Sequence, residues 1–323
     1  MRSRLFSSVL FALLQCGLGS TALAQSWPSR PVTVVVPYPP GGLADLTGRL
    51  YAERLAAVAG QATVVDNRAG AAGIVGTAYV ARSAPDGYTM LLGNNGTHVI
   101  QPLVSATASY DPVRDFTPLG TLTDAPQLLG VNVGTGLNSL AELIALAKRE
   151  PGKLNYGSAG SGSFGNFGGE LLKLMAGIDI VHVPYKGSGP AVLDLMAGRI
   201  QVMLDPAVLT QVKSGRVKVL ATTGPTRFVG LPEVPTMSEA GLPGFQLIGW
   251  FGIFGPRNLP REVVAKAFVA VTATVQDPEF QKRVIAAGVT PSLRTPDAMA
   301  ALLKSDLALY GDIKKRANIQ VVE

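Results

Sequence analysis

The sequence predicts an α/β protein of two domains. Two observations carry this: short β-branched runs alternate with helical stretches along the chain, and glycine and proline gather at the ends of those runs instead of forming a linker. Length supports the domain count, because setting aside an N-terminal segment of 24 residues from the 323 leaves 299, enough for two ordinary domains.

Taken in order, Val32–Val36 reads as a buried strand and Ala44–Ala59 as a helix with Leu46, Leu50 and Leu55 on one side. Thr63–Val65 and Tyr88–Leu92 read as strands, then Leu128–Val133 before a helix at Leu140–Arg149. Strands at Leu154–Tyr156, Ile180–Val183, Ile200–Leu204 and Val217–Ala221 follow, with helices at Gly168–Met175 and Ala191–Ala197 between them. Gln246–Gly255 also reads as a strand, and helices at Val263–Val275, Glu279–Ala287 and Pro296–Leu309 close the chain. Such alternation implies parallel sheets built from crossover units.

The first residues have the pattern of a secretory signal. Arg2 and Arg4 precede an apolar run from Leu5 to Leu14, and Ala22-Leu23-Ala24 forms the small-x-small site that signal peptidase cuts. Cleavage after Ala24 would start the mature chain at Gln25 in the periplasm. The single cysteine, Cys16, falls in the removed segment, and Gln15 before it disfavours lipid attachment, so no disulfide framework is expected. No second run of about 18 apolar residues predicts a membrane span. Net charge is +6, its basic residues scattered and aromatics sparse, which excludes the concentrated footprint of a nucleic-acid surface.

Three glycine-rich loops fall at the carboxyl ends of strands, where open parallel sheets bind ligands. In the first, Tyr38 to Asp45, Gly41 and Gly42 allow close approach to the backbone, and Leu43, Ala44 and Asp45 form a helical first turn with free N–H groups. Asp45 either caps that turn or accepts a hydrogen bond from a ligand. The second, Ser158, Ala159, Gly160, Ser161, Ser163, Phe164 and Asn166, also spells G-x-G-x-x-G through Gly160, Gly162 and Gly165. A dinucleotide site is nonetheless disfavoured: Asp179 begins the next strand, whereas the ribose-binding acid belongs at that strand's end, where Tyr185 and Lys186 stand. Oxyanion binding by backbone and hydroxyl donors fits this loop better. The third loop brings Tyr185, Lys186, Gly187 and Ser188, with Ser188 as a helix cap. Asn94 and Asn95 supply amide donors at another strand end, and Asp205 ends the Ile200–Leu204 strand.

The missing groups argue against catalysis. The chain has two histidines, His98 and His182, no G-x-S-x-G elbow, no cysteine after export, and no Cys/His/carboxylate cluster with metal-ligand spacing. No cofactor is expected. Such a site binds and does not readily turn over.

The loops resemble the Bug/TctC family, the extracytoplasmic receptors of tripartite tricarboxylate transporters. The resemblance runs through Trp27-Pro-Ser-Arg-Pro31, Val36-Pro-Tyr-Pro-Pro-Gly-Gly42 with Asp45 and Arg49, Asp66-Asn-Arg-Ala-Gly70, Pro85-Asp-Gly-Tyr88, Tyr156-Gly-Ser158, Gly169-Glu170, Val181-His-Val-Pro-Tyr-Lys-Gly187 and Pro232-Glu-Val-Pro-Thr236. It implies a two-lobed type II periplasmic-binding fold whose central cleft closes on a ligand carboxylate. It places the Tyr38–Asp45 loop in one wall and the Ser158–Asn166 and Tyr185–Ser188 loops in the other, with Asp205 nearby. Lobe 1 is then residues 25–126 plus 225–323 and lobe 2 residues 127–224, the return crossing lying somewhere between Val217 and Pro256. Where relatives often carry a histidine this chain has Asn166, with Phe164 and Phe167 close by. An aromatic acid touching Phe164 is therefore conceivable beside di-, tri- and amino acids, while Phe167 is expected in the core. The expected partners are a small carboxylate and membrane permease subunits, with the receptor a monomer. A ligand-presenting sensor subunit and a periplasmic hydrolase are the alternatives.

Overall fold

The computed structural model describes residues 27–320. The expected signal segment, its cleavage after Ala24 and Cys16 lie outside the described residues. In chain order the strands are β1 (Val32–Val36), β2 (Thr63–Asn67), β3 (Thr89–Asn94), β4 (Phe116–Pro126), β5 (Leu128–Asn132), β6 (Asn155–Ser158), β7 (Val181–Pro184), β8 (Val202–Leu204), β9 (Val217–Thr222), β10 (Ile248–Pro256) and β11 (Thr290–Pro291). The helices are α1 (Leu43–Ala59), α2 (Ile74–Ala81), α3 (Gln101–Val104), α4 (Leu140–Arg149), α5 (Phe164–Ala176), α6 (Ser188–Met196), α7 (Leu209–Val212), α8 (Arg261–Gln276), α9 (Pro278–Ala286) and α10 (Pro296–Arg316).

Two sheets result. One has the order β11-β4-β10-β3-β1-β2 and the other β7-β6-β8-β5-β9. The crossover pairs β1–β2, β1–β3, β6–β7 and β6–β8 are parallel, as alternation implies. The expectation of purely parallel sheets needs correction, because β10 runs antiparallel to β3 and β4, and β5 antiparallel to β8 and β9. Of the strands joining the sheets, β5 and β10, which enter a sheet from the other, run against its parallel strands, whereas β4 and β9, which leave, run with them.

The first sheet is covered on both faces. Val32, Val34 and Val36 of β1 pack with Leu50, Tyr51 and Leu55 of α1, while Val35 turns to the opposite core with Ile74 and Ala78 of α2. A strand buried on both faces reads as a continuous apolar run, which is why β1 was legible. Each such side chain contributes roughly 1.5–3 kcal/mol when fully buried.

The crossings between the sheets differ in length. Gln127 alone separates β4 from β5, whereas residues 223–247 separate β9 from β10. Thr223 ties them together: its Oγ1 accepts from the Gln127 N–H at 2.8 Å and donates to the Leu247 carbonyl at 2.6 Å.

Candidate functional site

The two helices that follow the first strand of each parallel unit, α1 and α5, begin by the same device. In α1 the N-cap is Gly42, and the third helical residue, Asp45, accepts the N–H of Gly41 through Oδ2 at 2.9 Å. In α5 the N-cap is Ser163, and the third residue, Asn166, accepts the N–H of Gly162 through Oδ1 at 2.9 Å. Gly41 and Gly162 have φ of +88° and +71°, which the absence of a Cβ makes cheap. Ser163 Oγ accepts the Asn166 N–H at 3.3 Å, so the second turn is a reciprocal box. Both devices reach back to the residue before the cap. The N–H groups of the first helical residues, Leu43 and Ala44 in one lobe and Phe164 and Gly165 in the other, have no acceptor within their helices.

Asp45 thereby positions its loop. Buried and wedged, it also takes hydrogen bonds from Arg49 Nε at 3.0 Å and Asn67 Nδ2 at 2.9 Å, and Asn67 Nδ2 reaches the Tyr38 carbonyl at 3.1 Å. Burial pushes its carboxyl up, but the Arg49, Gly41 and Asn67 bonds outweigh this and hold it below its ordinary value. Tyr38 is fixed in turn: its hydroxyl donates to Asn94 Oδ1 at 3.1 Å, and burial, opposed by that bond, raises it to about 12.

Between the two helix starts lies a cavity of about 340 Å³. The first sheet's side supplies Tyr38, Leu43, Asn94, Asn95, Gly96, Ile100 and Gln101; the second supplies Gly162, Ser163, Phe164 and Pro206. Ala125, Gly249 and Phe251 of the joining strands form the floor. An adjoining hollow adds Pro39, Pro40, Gly42 and Ala44. Of the residues singled out from sequence, Tyr38, Gly42, Leu43, Ala44, Asn94, Asn95, Ser163 and Phe164 thus meet in one place. A larger hollow of about 910 Å³ lies elsewhere, against Arg30, Arg68, Tyr79 and Tyr88 near the start of β1; parallel sheets bind ligands at the other strand end.

The remaining singled-out residues lie outside this lining. Gly41 and Asp45 hold the loop from behind. Ser158 is fully buried, and its backbone carbonyl accepts from Tyr185 N–H at 3.0 Å while that of Ala159 accepts from Gly187 at 3.2 Å, so the second and third loops brace each other. Gly160 packs against the Tyr185 carbonyl, and exposed Ser161 lines a separate hollow with Ala71 and Thr107. Tyr185 donates to Asp194 at 2.8 Å, Lys186 is exposed, and Ser188 donates to Asp205 Oδ2 at 2.6 Å. Ser188 is the first helical residue, the N-cap being Gly187. Asp205 itself caps the turn at Pro206–Val208 by accepting the Ala207 N–H at 2.8 Å, and burial pushes its carboxyl up. Asn166 is buried behind the α5 start, with Nδ2 donating to the Tyr156 hydroxyl at 2.9 Å. Phe167 is fully buried against Tyr310, as expected.

Sequence reasoning missed Ala72, Ile100, Gln101, Ala125, Pro206, Gly249 and Phe251 as lining residues, while Gly162 falls within the Ser158–Asn166 loop expected in the wall. Gly249 and Phe251 lie in a segment that reads as a strand, yet nothing local marks it as passing the cavity. Ile100 ends and Gln101 follows a π-helical turn at Gly96–Ile100, whose wide geometry has no sequence signature here.

Ser158 Oγ lies 2.7 Å from His182 Nε2, a spacing reminiscent of a nucleophile and its base. The serine hydroxyl has a second acceptor within reach, the Gly160 carbonyl at 2.9 Å, and it takes the Gly160 N–H at 3.2 Å. His182 Nδ1 faces the Asn166 amide nitrogen at 3.5 Å, consistent with a proton on Nε2. Among the described residues no group of three or more His, Cys, Asp or Glu could hold a metal ion, and no helix is long and apolar enough to cross a membrane.

Residues 47–319 match the family TctC, a tripartite tricarboxylate transporter family receptor. BugT of Bordetella pertussis is 32% identical over 322 residues, covering 99% of both chains. The R. palustris protein Rpa4515, solved with adipate, is 37% identical with a TM-score of 0.78, covering 91% of this chain and 99% of that one. MatC from Rhodopseudomonas palustris, solved with bound malate, is 33% identical with a TM-score of 0.73, covering 89% of this chain and 99% of its own. These likenesses span both sheets, and the two-lobed periplasmic-binding-protein fold with a central cleft is the fold of this chain.

Proposed function

Because the chain belongs to the TctC family of tripartite tricarboxylate transporter receptors, we propose that it captures a small carboxylate between its lobes and passes it to membrane permease subunits of such a transporter. The observation that carries this reading is the pair of helix starts, α1 and α5, brought from different sheets to one cavity. Each adds free N–H groups and the positive end of a helix dipole, and together they stabilise an anion without a charged side chain. The adipate and malate in the two R. palustris structures are small carboxylates of the kind this reading requires.

In this reading lobe 1 comprises residues 25–126 and 225–323, lobe 2 residues 127–224, and the protein works as a periplasmic monomer after cleavage behind Ala24. The singled-out residues divide into those that touch ligand (Tyr38, Gly42, Leu43, Ala44, Asn94, Asn95, Ser163 and Phe164) and those that shape the loops behind them. The protein acts by capture and release and performs no chemistry, a view supported by its membership of a receptor family. Calorimetric titration of refolded protein with adipate and malate tests the proposal, with sugars and neutral solutes as controls. Saturable heat with a carboxylate supports it; heat only with a non-carboxylate sinks it.

A further inference from the structure

We propose, resting on the carboxylate reading above, that the ligand carries its carboxylate on an apolar body without hydroxyl groups, an aromatic or methylene chain in place of a hydroxy-acid. The lining argues for this. Leu43, Ile100, Phe164, Pro206 and Phe251 present carbon from both lobes, and no Lys, Arg, His, Asp or Glu is among the residues around the 340 Å³ cavity. The polar groups that do line it are few, and several are already engaged. Asn94 Oδ1 accepts from both Tyr38 and the Thr97 N–H, and Ser163 Oγ accepts the Asn166 N–H. A ligand hydroxyl placed against the carbon of Leu43, Ile100, Phe164, Pro206 or Phe251 would lose its water and gain no acceptor there.

Asn95 lines the cavity yet is only 6% exposed, and its Nδ2 is buried beside the hydroxyl of Tyr310, whose ring stacks on Phe164 at 6.2 Å and 17°. The carboxylate is the ligand's acceptor, so the helix N–H groups hold the acid end while Phe164 and Phe251 cover the body.

Matched acids differing by one hydroxyl test this: succinate against malate, and 3-phenylpropanoate against phenyllactate, titrated into refolded protein. The unhydroxylated member of each pair should bind at least about tenfold more tightly. Equal or tighter binding of the hydroxylated member overturns the inference while leaving carboxylate capture intact, whereas binding of neither pair alongside binding of a neutral solute overturns the function itself. Phe164→Ser should narrow the preference by weakening the apolar acids alone. Should that variant fold poorly through loss of its stack on Tyr310, Leu43→Asn reports on the same contact from the other lobe; an unchanged preference in a folded variant counts against the inference.

Discussion

Gly41 and Gly42 are neighbours in the first loop and should respond differently to substitution. Gly41 has φ of +88°, where any Cβ is strained, and its N–H is held by Asp45. Gly42 has φ of −85°, and a Cβ built on it meets nothing within 4 Å. Gly42→Leu, at the N-cap of α1, should therefore lower the melting temperature by no more than a few degrees and cut ligand affinity by tenfold or more; retained affinity in titration would exclude this loop from the site. Asp45 acts one step back. Its depressed acidity means that its share of stability is present above the unfolded value near pH 4 and lost as pH falls through the folded value. Asp45→Ala should cost about 1–3 kcal/mol at neutral pH, read by urea denaturation, and the difference from wild type should shrink at more acid pH. The same geometry explains a limit on reading the sequence. The ambiguity of Asp45 between cap and ligand group could not be resolved along the chain, because Asn67, which fixes its second oxygen, lies 22 residues away.

At the scale of elements, the long helix α10 and the central strand β10 meet through a buried ion. Asp306 accepts the Trp250 indole N–H at 2.8 Å, and burial pushes its carboxyl up to about 6. A raised carboxyl binds protons more readily in the folded state, so this group makes the fold more stable as pH falls from about 6 toward about 4 and penalises it at neutral pH. Asp306→Asn keeps an acceptor for Trp250 and removes the charge. It should raise stability at pH 7 by up to roughly 2–3 kcal/mol and flatten the acid side of the profile, measured by thermal melts across that range. Most elements were legible because period and burial agree, as in β1 and α1. The longest strand, β4, was not: Pro118, Gly120 and Pro126 break its pattern, and register shifts opposite Phe251/Gly252 and Ile253/Phe254 absorb the irregularity. Helix α2 was hidden for a related reason, since Ala71 and Ala72 before it adopt left-handed backbone that alanine sequences do not announce. The cavity was half legible. Its loop residues have compositional marks, whereas Ala125, Gly249 and Phe251 line it only because the joining strands pass beneath.

For the molecule as a whole, the two crossings between the sheets are tied together through Gln127, Thr223 and Leu247. Thr223→Val removes the acceptor of the buried Gln127 N–H and the donor to Leu247, and should cost about 1–3 kcal/mol. That corresponds to roughly 2–4 °C in melting temperature for each kcal/mol. The substitution keeps shape and burial, so an unchanged melt would mean that the crossings are held by packing alone. The sheet order has a further consequence, for the order in which the chain can assemble. β10 lies between β3 and β4, yet it follows all five strands of the other sheet in sequence. A nascent chain that ends at Gly224 holds β1, β2 and β3 on one side and β4 on the other, with nothing to join them and two unpaired edges exposed. The second lobe can form early from contiguous sequence, whereas the first must wait for residues 248–256 and pay a long loop closure. Until those residues arrive the first lobe cannot close, whatever the second lobe has already done.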